Sequence, residues 1–323
     1  MKKLFVLSGG VGSEREVSLS SGRNVVDTLR KEGLACEEII VEADKSFLYN
    51  REHMTEDDGI RFLREENALV FQVIHGTYGE DGELVKKFEE VSVAYIGSSS
   101  QVLELTIDKY QTEKTLEKKG VATPHSVIVA KEQGGVDVEK LRELSFSHLP
   151  HFPLFIKPNK EGSSIGVQKV TRKGELQRAL TDLFATYDEV LVQPFLTGRE
   201  FSCGVVEIGG EEVALVPTEV ILTKGELFDY EAKYSDGGCK EITPAEVDRD
   251  TTKKIQDLAL LVHKVCGCKD ISRTDMRMDE NGTLIVLEIN TVPGMTKTSF
   301  VPAELEASSY TLSQFVKGML VKY

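Results

Sequence analysis

The chain has 323 residues, 40% apolar and 28% charged, with a formal net charge of −14, a length that suits two or three subdomains rather than one core. The negative balance opposes polyanions and excludes nucleic acid as a partner, but not a nucleotide, which needs only a few placed cations. No run approaches the roughly 18 apolar residues of a membrane helix, and Leu4–Leu7 is too short for a signal-peptide core, so no membrane association and a cytoplasmic address are expected.

Lys3–Ser8 reads as a buried strand running through Gly9-Gly10 into a helix over Arg15–Arg30. Ala68–Ile74, ending at His75-Gly76, and Val91–Ile96, closed by Gly97, are further strands. Strands alternating with helices predict a parallel α/β sheet, whose ligands bind at the strands' carboxyl ends, where Gly9–Glu16 and His75–Gly82 lie. From residue 98 the pattern changes. Helices are expected at Ser100–Leu105, Lys109–Lys119 and Lys173–Tyr187, and strands at Ser126–Ala130, Leu154–Lys157, Gly166–Val170 and Glu189–Gln193. The last third mixes strands with helices near Asp248–Cys266 and Thr311–Leu320. The fold class is therefore mixed α/β (α+β), in three sequential subdomains.

Five cysteines (Cys36, Cys203, Cys239, Cys266, Cys268) form no CxxC pair, and free thiols are expected rather than a metal site. No Gly-Lys dipeptide occurs, which excludes a Walker A loop, and Gly9-Gly10-Val11-Gly12 lacks the dinucleotide spacing. Lys157–Gly166 (KPNKEGSSIG) lies between two strands. Its amides and hydroxyls suit a phosphate, although a plain polar hairpin would read the same way.

The segment Arg273–Asn290 carries the most chemistry. Asn281-Gly282 predicts a two-residue type I′ turn pairing Glu280 with Thr283. Counting outward sets Asp275 against Glu288 and Arg273 against Asn290 on one face, with Met276, Met278, Ile285, Leu287 and Ile289 on the other, provided no β-bulge intervenes. Two opposed carboxylates and an amide oxygen suit Mg²⁺ on a nucleotide. The alternative is a solvated salt-bridge face with Arg273 and Arg277. Asp108 and Gln111 predict a helix start that puts Lys109 in a first turn, where a bound phosphate would favour it and a surface lysine would be tolerated. Glu14 either holds an ammonium or simply favours its helix. Phe228–Tyr234 (FDYEAKY) reads as a lid with aromatic anchors.

Together, GSEREVSLSSG (12–22), HGTYGEDG (75–82), IDK (107–109), KPNKEGSSIGV (157–167), FDYEAKY (228–234), RTDMRMD (273–279) and LEINTVPGMTKTS (287–299) resemble the D-alanine–D-alanine ligase family of ATP-grasp enzymes over nearly the whole chain. The resemblance implies a three-subdomain ATP-grasp architecture: an N-terminal α/β substrate domain (1–97), a central ATP-grasp subdomain (98–192) and a C-terminal ATP-grasp and metal-binding subdomain (193–323). It implies joining of two D-alanines through D-alanyl phosphate for peptidoglycan precursors, with ATP, two Mg²⁺ ions (Mn²⁺ as substitute) and a homodimer. By position, Lys109, Lys157, Glu161, Gly162, Ser164 and Gly166 would serve the ATP phosphates, and Gln193, Leu196 and Glu200 the base and ribose. Asp275, Glu288 and Asn290 would hold the metal ions. Glu14 would bind the first ammonium, with Val17 and His75 beside the substrate, and Arg273 and the Gly294 N–H would form the oxyanion site. Ser299 and Phe300 would take the second carboxylate. Glu14, Ser163 and Tyr234 would join the subdomains, and Lys233 would reach the γ-phosphate. Gln193, Val85 and Phe300 depart from the commonest family residues (Glu, Gln and Leu). Other readings are a ligase making D-alanyl-D-lactate or D-alanyl-D-serine, another ATP-grasp carboxylate–amine ligase, and a non-catalytic nucleotide or amino-acid sensor.

Overall fold

Apolar runs without alternation need a sheet covered on both faces, and the first strand obeys that rule. The computed structural model describes residues 2–131, 152–162, 165–223 and 238–323. β1 (Lys3–Gly9) is buried from its second residue onward. It is followed by α1 (Arg15–Lys31), β2 (Glu37–Val41), β3 (Phe47–Tyr49), β4 (Glu52–Met54), α2 (Glu56–Glu65), β5 (Ala68–Gln72), α3 (Glu83–Val91) and β6 (Ala94–Ile96). The sheet order is β4-β3-β2-β1-β5-β6. β2, β1, β5 and β6 run parallel, and β3 and β4 extend the edge as an antiparallel hairpin. The expected parallel sheet is present, but Val91 belongs to α3 and not to a strand. Ser92 caps that helix in the left-handed region, at φ 60°, so the third strand begins only at Ala94.

α4 (Ser100–Ile107) and α5 (Lys109–Glu117) follow. Asp108 caps α5 by accepting the Gln111 N–H, as its sequence predicts. An antiparallel sheet, in the order β7-β10-β8-β9, contains β7 (Val127–Ala130), β8 (Leu154–Pro158), β9 (Gln168–Val170) and β10 (Glu189–Pro194). α6 (Lys173–Phe184) buries Leu176, Ala179, Leu180 and Leu183 against it. A second antiparallel sheet comprises β11 (Arg199–Ile208), β12 (Glu211–Ala214), β13 (Thr218–Leu222), β14 (Cys239–Ile242), β15 (Ile271–Met278) and β16 (Leu284–Asn290). α7 (Arg249–Cys266), α8 (Phe300–Ala307) and α9 (Leu312–Lys322) complete the chain. Leu116 of α5 packs with Val262, Val286 and Ile289, so α5 leans on the β15–β16 sheet. One core continues from Leu4, Val6 and Phe71 of the parallel sheet to Ile271, Val301, Phe315 and Val316 near the C-terminus. That shared core fixes the first sheet's carboxyl edge beside β15 and β16. All five cysteines are free thiols, and no described helix is long and apolar enough to cross a membrane.

The β15–β16 hairpin corrects the expected turn. Asp279 receives the Gly282 N–H on its carbonyl and donates its own N–H to Thr283. The loop is therefore three residues, Glu280–Gly282, with Gly282 in the left-handed region at φ 79°. This is the three-residue hairpin whose last loop residue must tolerate positive φ, a role glycine fills without strain. Met278 then pairs with Leu284, and Met276 with Val286. A β-bulge between Asp275 and Met276 restores the register, so Asp275 faces Glu288 and Arg273 faces Asn290. The one-residue error in the turn and the unforeseen bulge cancel at the site. They do not cancel in the core: Val286 is buried, whereas Ile285 and Leu287 are only half-buried and Leu287 turns into a cleft.

Candidate active site

Two clefts meet at Glu288. The first, about 830 Å³ and open to solvent, lies between the two antiparallel sheets. β8 contributes Phe155 and Lys157, β10 contributes Gln193, and β11 with its lead-in contributes Leu196 and Glu200. Lys109, Glu161, Asp275, Leu287 and Glu288 close it. Lys109 and Lys157 are both buried, at 8% and 7% exposure, so two buried cations line a slot that mixes apolar side chains with carboxylates. The Lys109 ammonium donates to the Glu161 carbonyl at 2.5 Å and lies 3.8 Å from Glu288. Burial raises the Glu161 carboxyl above its usual range, against the pull of Lys109. Arg277 does not neutralise the Asp275–Glu288 face. It pairs across the strands with Glu200 and donates to the Leu196 carbonyl at 2.6 Å.

The second cleft, about 840 Å³, is lined by Glu14, Val17, His75, Gly162, Arg273, Glu288, Asn290, Gly294, Ser299 and Phe300. Glu14 sits at the N-cap of α1 and is 6% exposed. A Cβ placed on Gly162 would stand 2.7 Å from its Oε2, so Gly162 packs directly on this carboxylate. His75 Nδ1 donates to the Val292 carbonyl at 3.2 Å, and Ser21 Oγ lies 3.2 Å from Nε2 while accepting the Met295 N–H. With both nitrogens engaged, His75 ties the loop carrying Gly294 to β5's carboxyl end. Ser299 begins α8, its hydroxyl accepting the Thr296 N–H at 3.0 Å. Ser299 and Phe300, at the start of α8, line this cleft, and a helix N-terminus is a favourable place for a carboxylate.

Asp275 lies beneath the junction. It accepts Arg273 bidentately at 2.9 and 2.7 Å, Ser202 at 2.7 Å and the Asn290 amide at 3.1 Å. Burial works against the Arg273 charge, but Asp275, Glu288 and Glu304 outweigh it, and the guanidinium pKa lies above its usual value. Among the described residues, no group of three or more His, Cys, Asp or Glu side chains is gathered for a metal. The candidate donor set is thus two carboxylates in cross-strand register plus one amide oxygen. These are hard oxygen donors of the kind Mg²⁺ takes while keeping waters and binding phosphate oxygens.

Most sequence-derived candidates converge here. Gly166 does not: it lines neither cleft, and a Cβ there would meet Leu183 and Pro158. Val85 is buried in the N-terminal core, away from both clefts. Ser163, Ser164, Lys233 and Tyr234, with the whole 228–234 lid segment, lie outside the described residues. Sequence reasoning missed Phe155, Arg277, Leu287, Glu80 and Glu241 as cleft residues, and it missed α8 altogether. The Ser299-Phe300-Val301-Pro302 run contained a signal for α8, because proline is favoured near a helix start.

The model of the D-ala D-ala ligase C-terminus matches residues 115–321. The chain is 35% identical to a D-alanine–D-alanine ligase of Fervidobacterium nodosum, over 97% of this chain and 96% of that one. The chain belongs to the D-alanine–D-alanine ligase family. A family member from Sinorhizobium medicae is 34% identical over 99% of this chain and 97% of its own. Among solved structures, the D-alanine–D-alanine ligase of Bacillus anthracis aligns with a TM-score of 0.80 at 28% identity, covering 99% of this chain and 97% of that one. The VanG D-Ala:D-Ser ligase of Enterococcus faecalis aligns at 0.84, also at 28% identity, covering 99% and 98%.

Glu304 of α8 supplies a pH signature. It is fully buried, and burial pushes its carboxyl up to about 8 against the Gly204 N–H, the Thr218 hydroxyl and Arg273. A folded-state pKa above the unfolded one contributes stability below the unfolded value that is lost as pH rises through the folded value. Glu304→Gln, which does not titrate, is therefore expected to match the parent's thermal stability near pH 5. It should exceed it by about a few kcal/mol above pH 8, as read by melting curves across that range.

Proposed function

We propose that this chain joins two D-alanines to D-alanyl-D-alanine, using ATP and passing through D-alanyl phosphate, with release of ADP and phosphate. One observation carries the reading: two clefts share the Glu288 wall, the first lined by Lys109, Lys157 and Asp275 and the second by Glu14 and Arg273. A carboxylate does not acylate an amine at neutral pH, because oxide is too poor a leaving group. Phosphoryl transfer replaces it with phosphate, which requires ATP and the carboxylate to meet at one point.

In this reading Gln193, Leu196 and Glu200 hold the base and ribose, Lys109 and Lys157 screen the phosphates, and Glu161, Gly162 and Ser164 belong to the loop beside them. Asp275, Glu288 and Asn290 would hold two Mg²⁺ ions, with Mn²⁺ as substitute. Bound there, the metal would neutralise charge between the two approaching anions. Glu14 takes the first ammonium, with Val17 and His75 shaping its subsite. Ser299 and the Phe300 amide take the second carboxylate. The second amine attacks the acyl phosphate, and Arg273 with the Gly294 N–H meets the oxyanion that develops. Ser163 and Tyr234 join Glu14 in linking the subdomains, and Lys233 reaches the γ-phosphate. The divisions 1–97, 98–192 and 193–323, a homodimer and a cytoplasmic location in peptidoglycan precursor synthesis belong to the same reading.

The similarity to the VanG D-Ala:D-Ser ligase motivates a second reading in which the second substrate is D-serine. Incubation with ATP, Mg²⁺ and D-alanine is expected to yield phosphate and dipeptide in equal amounts, with L-alanine inactive. Product arising mainly when D-serine or D-lactate is added would move the assignment to a sister ligase. Nucleotide binding without turnover of any D-amino acid would sink the ligase reading and favour a sensor.

A further inference from the structure

Gly294 lines the amino-acid cleft but has no side chain to fix it, and glycine is the most conformationally free residue. Its backbone is instead gripped on both sides. Before it, the Val292 carbonyl accepts the His75 Nδ1–H at 3.2 Å, and Pro293 restricts its own φ. After it, Met295 is bound by α1 at both of its backbone polar groups. Its N–H donates to Ser21 Oγ at 3.2 Å, and its carbonyl accepts the Asn24 Nδ2–H at 2.8 Å. A carbonyl can only accept, so the His75 ring proton lies on Nδ1, and Nε2 takes the Ser21 hydroxyl proton across 3.2 Å. Val292, His75, Ser21 and Met295 thus close a ring of hydrogen bonds that spans Gly294, and Asn24 braces it from outside. Ser21 and Asn24 share a stripe of α1 with Glu14 and Val17, since residues three and four apart are neighbours on a helix. Glu14 and Val17 line the same cleft. One helix therefore carries cleft residues at its start and the loop's anchors further along.

We propose that Ser21 and Asn24 are positioning residues for the Gly294 N–H, tying its placement to the helix that carries Glu14. This inference rests on the reading of the Gly294 N–H as part of the oxyanion site. Neither Ser21 nor Asn24 lines the cleft, so both act through Met295. The step they serve is the attack of the second amine on the acyl phosphate, where the oxyanion develops. The preceding phosphoryl transfer does not depend on them.

Two rates separate this role from a general one. Dipeptide formation reports the whole reaction, and positional isotope exchange within ATP in the presence of D-alanine reports acyl-phosphate formation alone. Both are measured, with melting curves, for Asn24→Asp, Ser21→Ala and Arg23→Ala, the last at an exposed position of the same helix. Aspartate keeps the shape of Asn24 but sets a carboxylate against the Met295 carbonyl. Asn24→Asp and Ser21→Ala are each expected to lower kcat for dipeptide about tenfold through a displaced Gly294 N–H. Isotope exchange should stay within about twofold of the parent's, because the lost interaction is made only after phosphoryl transfer. Arg23→Ala should match the parent in both rates. An unchanged dipeptide rate in Asn24→Asp or in Ser21→Ala overturns the proposal. An equal fall in exchange and dipeptide formation, or the same loss in Arg23→Ala, assigns a general structural role and overturns it too. If Asn24→Asp fails to melt cooperatively, Asn24→Ala carries the same test. A parent protein that forms no dipeptide would sink the ligase reading itself, whereas unaffected variants of an active parent sink only the role of these two residues.

Discussion

Arg273→Met is expected to lower kcat for dipeptide formation by about a hundredfold to a thousandfold, the usual cost of removing one donor from an oxyanion site. The KM for ATP should move little, since Arg273 lines the amino-acid cleft and not the nucleotide cleft. Methionine keeps much of the volume and can still pack on the Phe300 ring beside Arg273. The variant leaves Asp275 without its bidentate partner, but Ser202 and Asn290 continue to donate to it, so the residual carboxylate is not stranded. A melting curve guards against misfolding, because breaking a buried ion pair from one side costs about 3–5 kcal/mol when nothing else satisfies the remaining charge. A kcat within a few-fold of the parent, in a protein that melts normally, would refute the oxyanion role. A collapse confined to the KM for ATP would reassign the guanidinium to the nucleotide.

Much of this site was legible in the sequence because its chemistry sits in local patterns. The Asp108 cap of the helix that carries Lys109 and the strand-end position of Glu14 each follow from rules spanning a few residues, whereas Asp275 faces Glu288 only because a bulge offsets the mistaken turn. The hairpin shows the limit of such rules. Asn281-Gly282 predicts a turn, but two-residue and three-residue loops both place glycine at positive φ, and only tertiary contacts choose between them. Here the Val286 N–H donates to the Ala122 carbonyl beside the bulge, an interaction that no strand pattern encodes. Glu304 was invisible for a similar reason. Glutamate in a short helix reads as a solvated residue, and its burial depends on a glycine a hundred positions earlier in the chain. Arg277 likewise finds Glu200 and not Asp275, two residues away on its own strand, because pairing with β11 sets Glu200 directly opposite it.

Glu288→Gln should abolish most activity, by about a thousandfold, and it tests the metal set more cleanly than Asp275→Asn. Both changes remove one hard anionic donor, and several kcal/mol of charge stabilisation is the expected loss. They differ in what else they disturb. Asp275 is the bidentate partner of a guanidinium that is mostly buried, so its amide variant weakens Arg273 at the same time and confounds two roles. Glu288 is half-buried and lies 3.8 Å from the Lys109 ammonium, which keeps its own donation to the Glu161 carbonyl. The fold should therefore survive Glu288→Gln with little change in melting temperature. If Glu288 is a metal ligand, the residual rate should rise with Mg²⁺ concentration over a range where the parent is already saturated. Binding of the ATP analogue should also become less dependent on Mg²⁺ in the variant. If Glu288 only shapes the cleft wall, the rate falls but the Mg²⁺ dependence stays at the parent's value, and the hard-oxygen set assigned to Asp275, Glu288 and Asn290 is wrong.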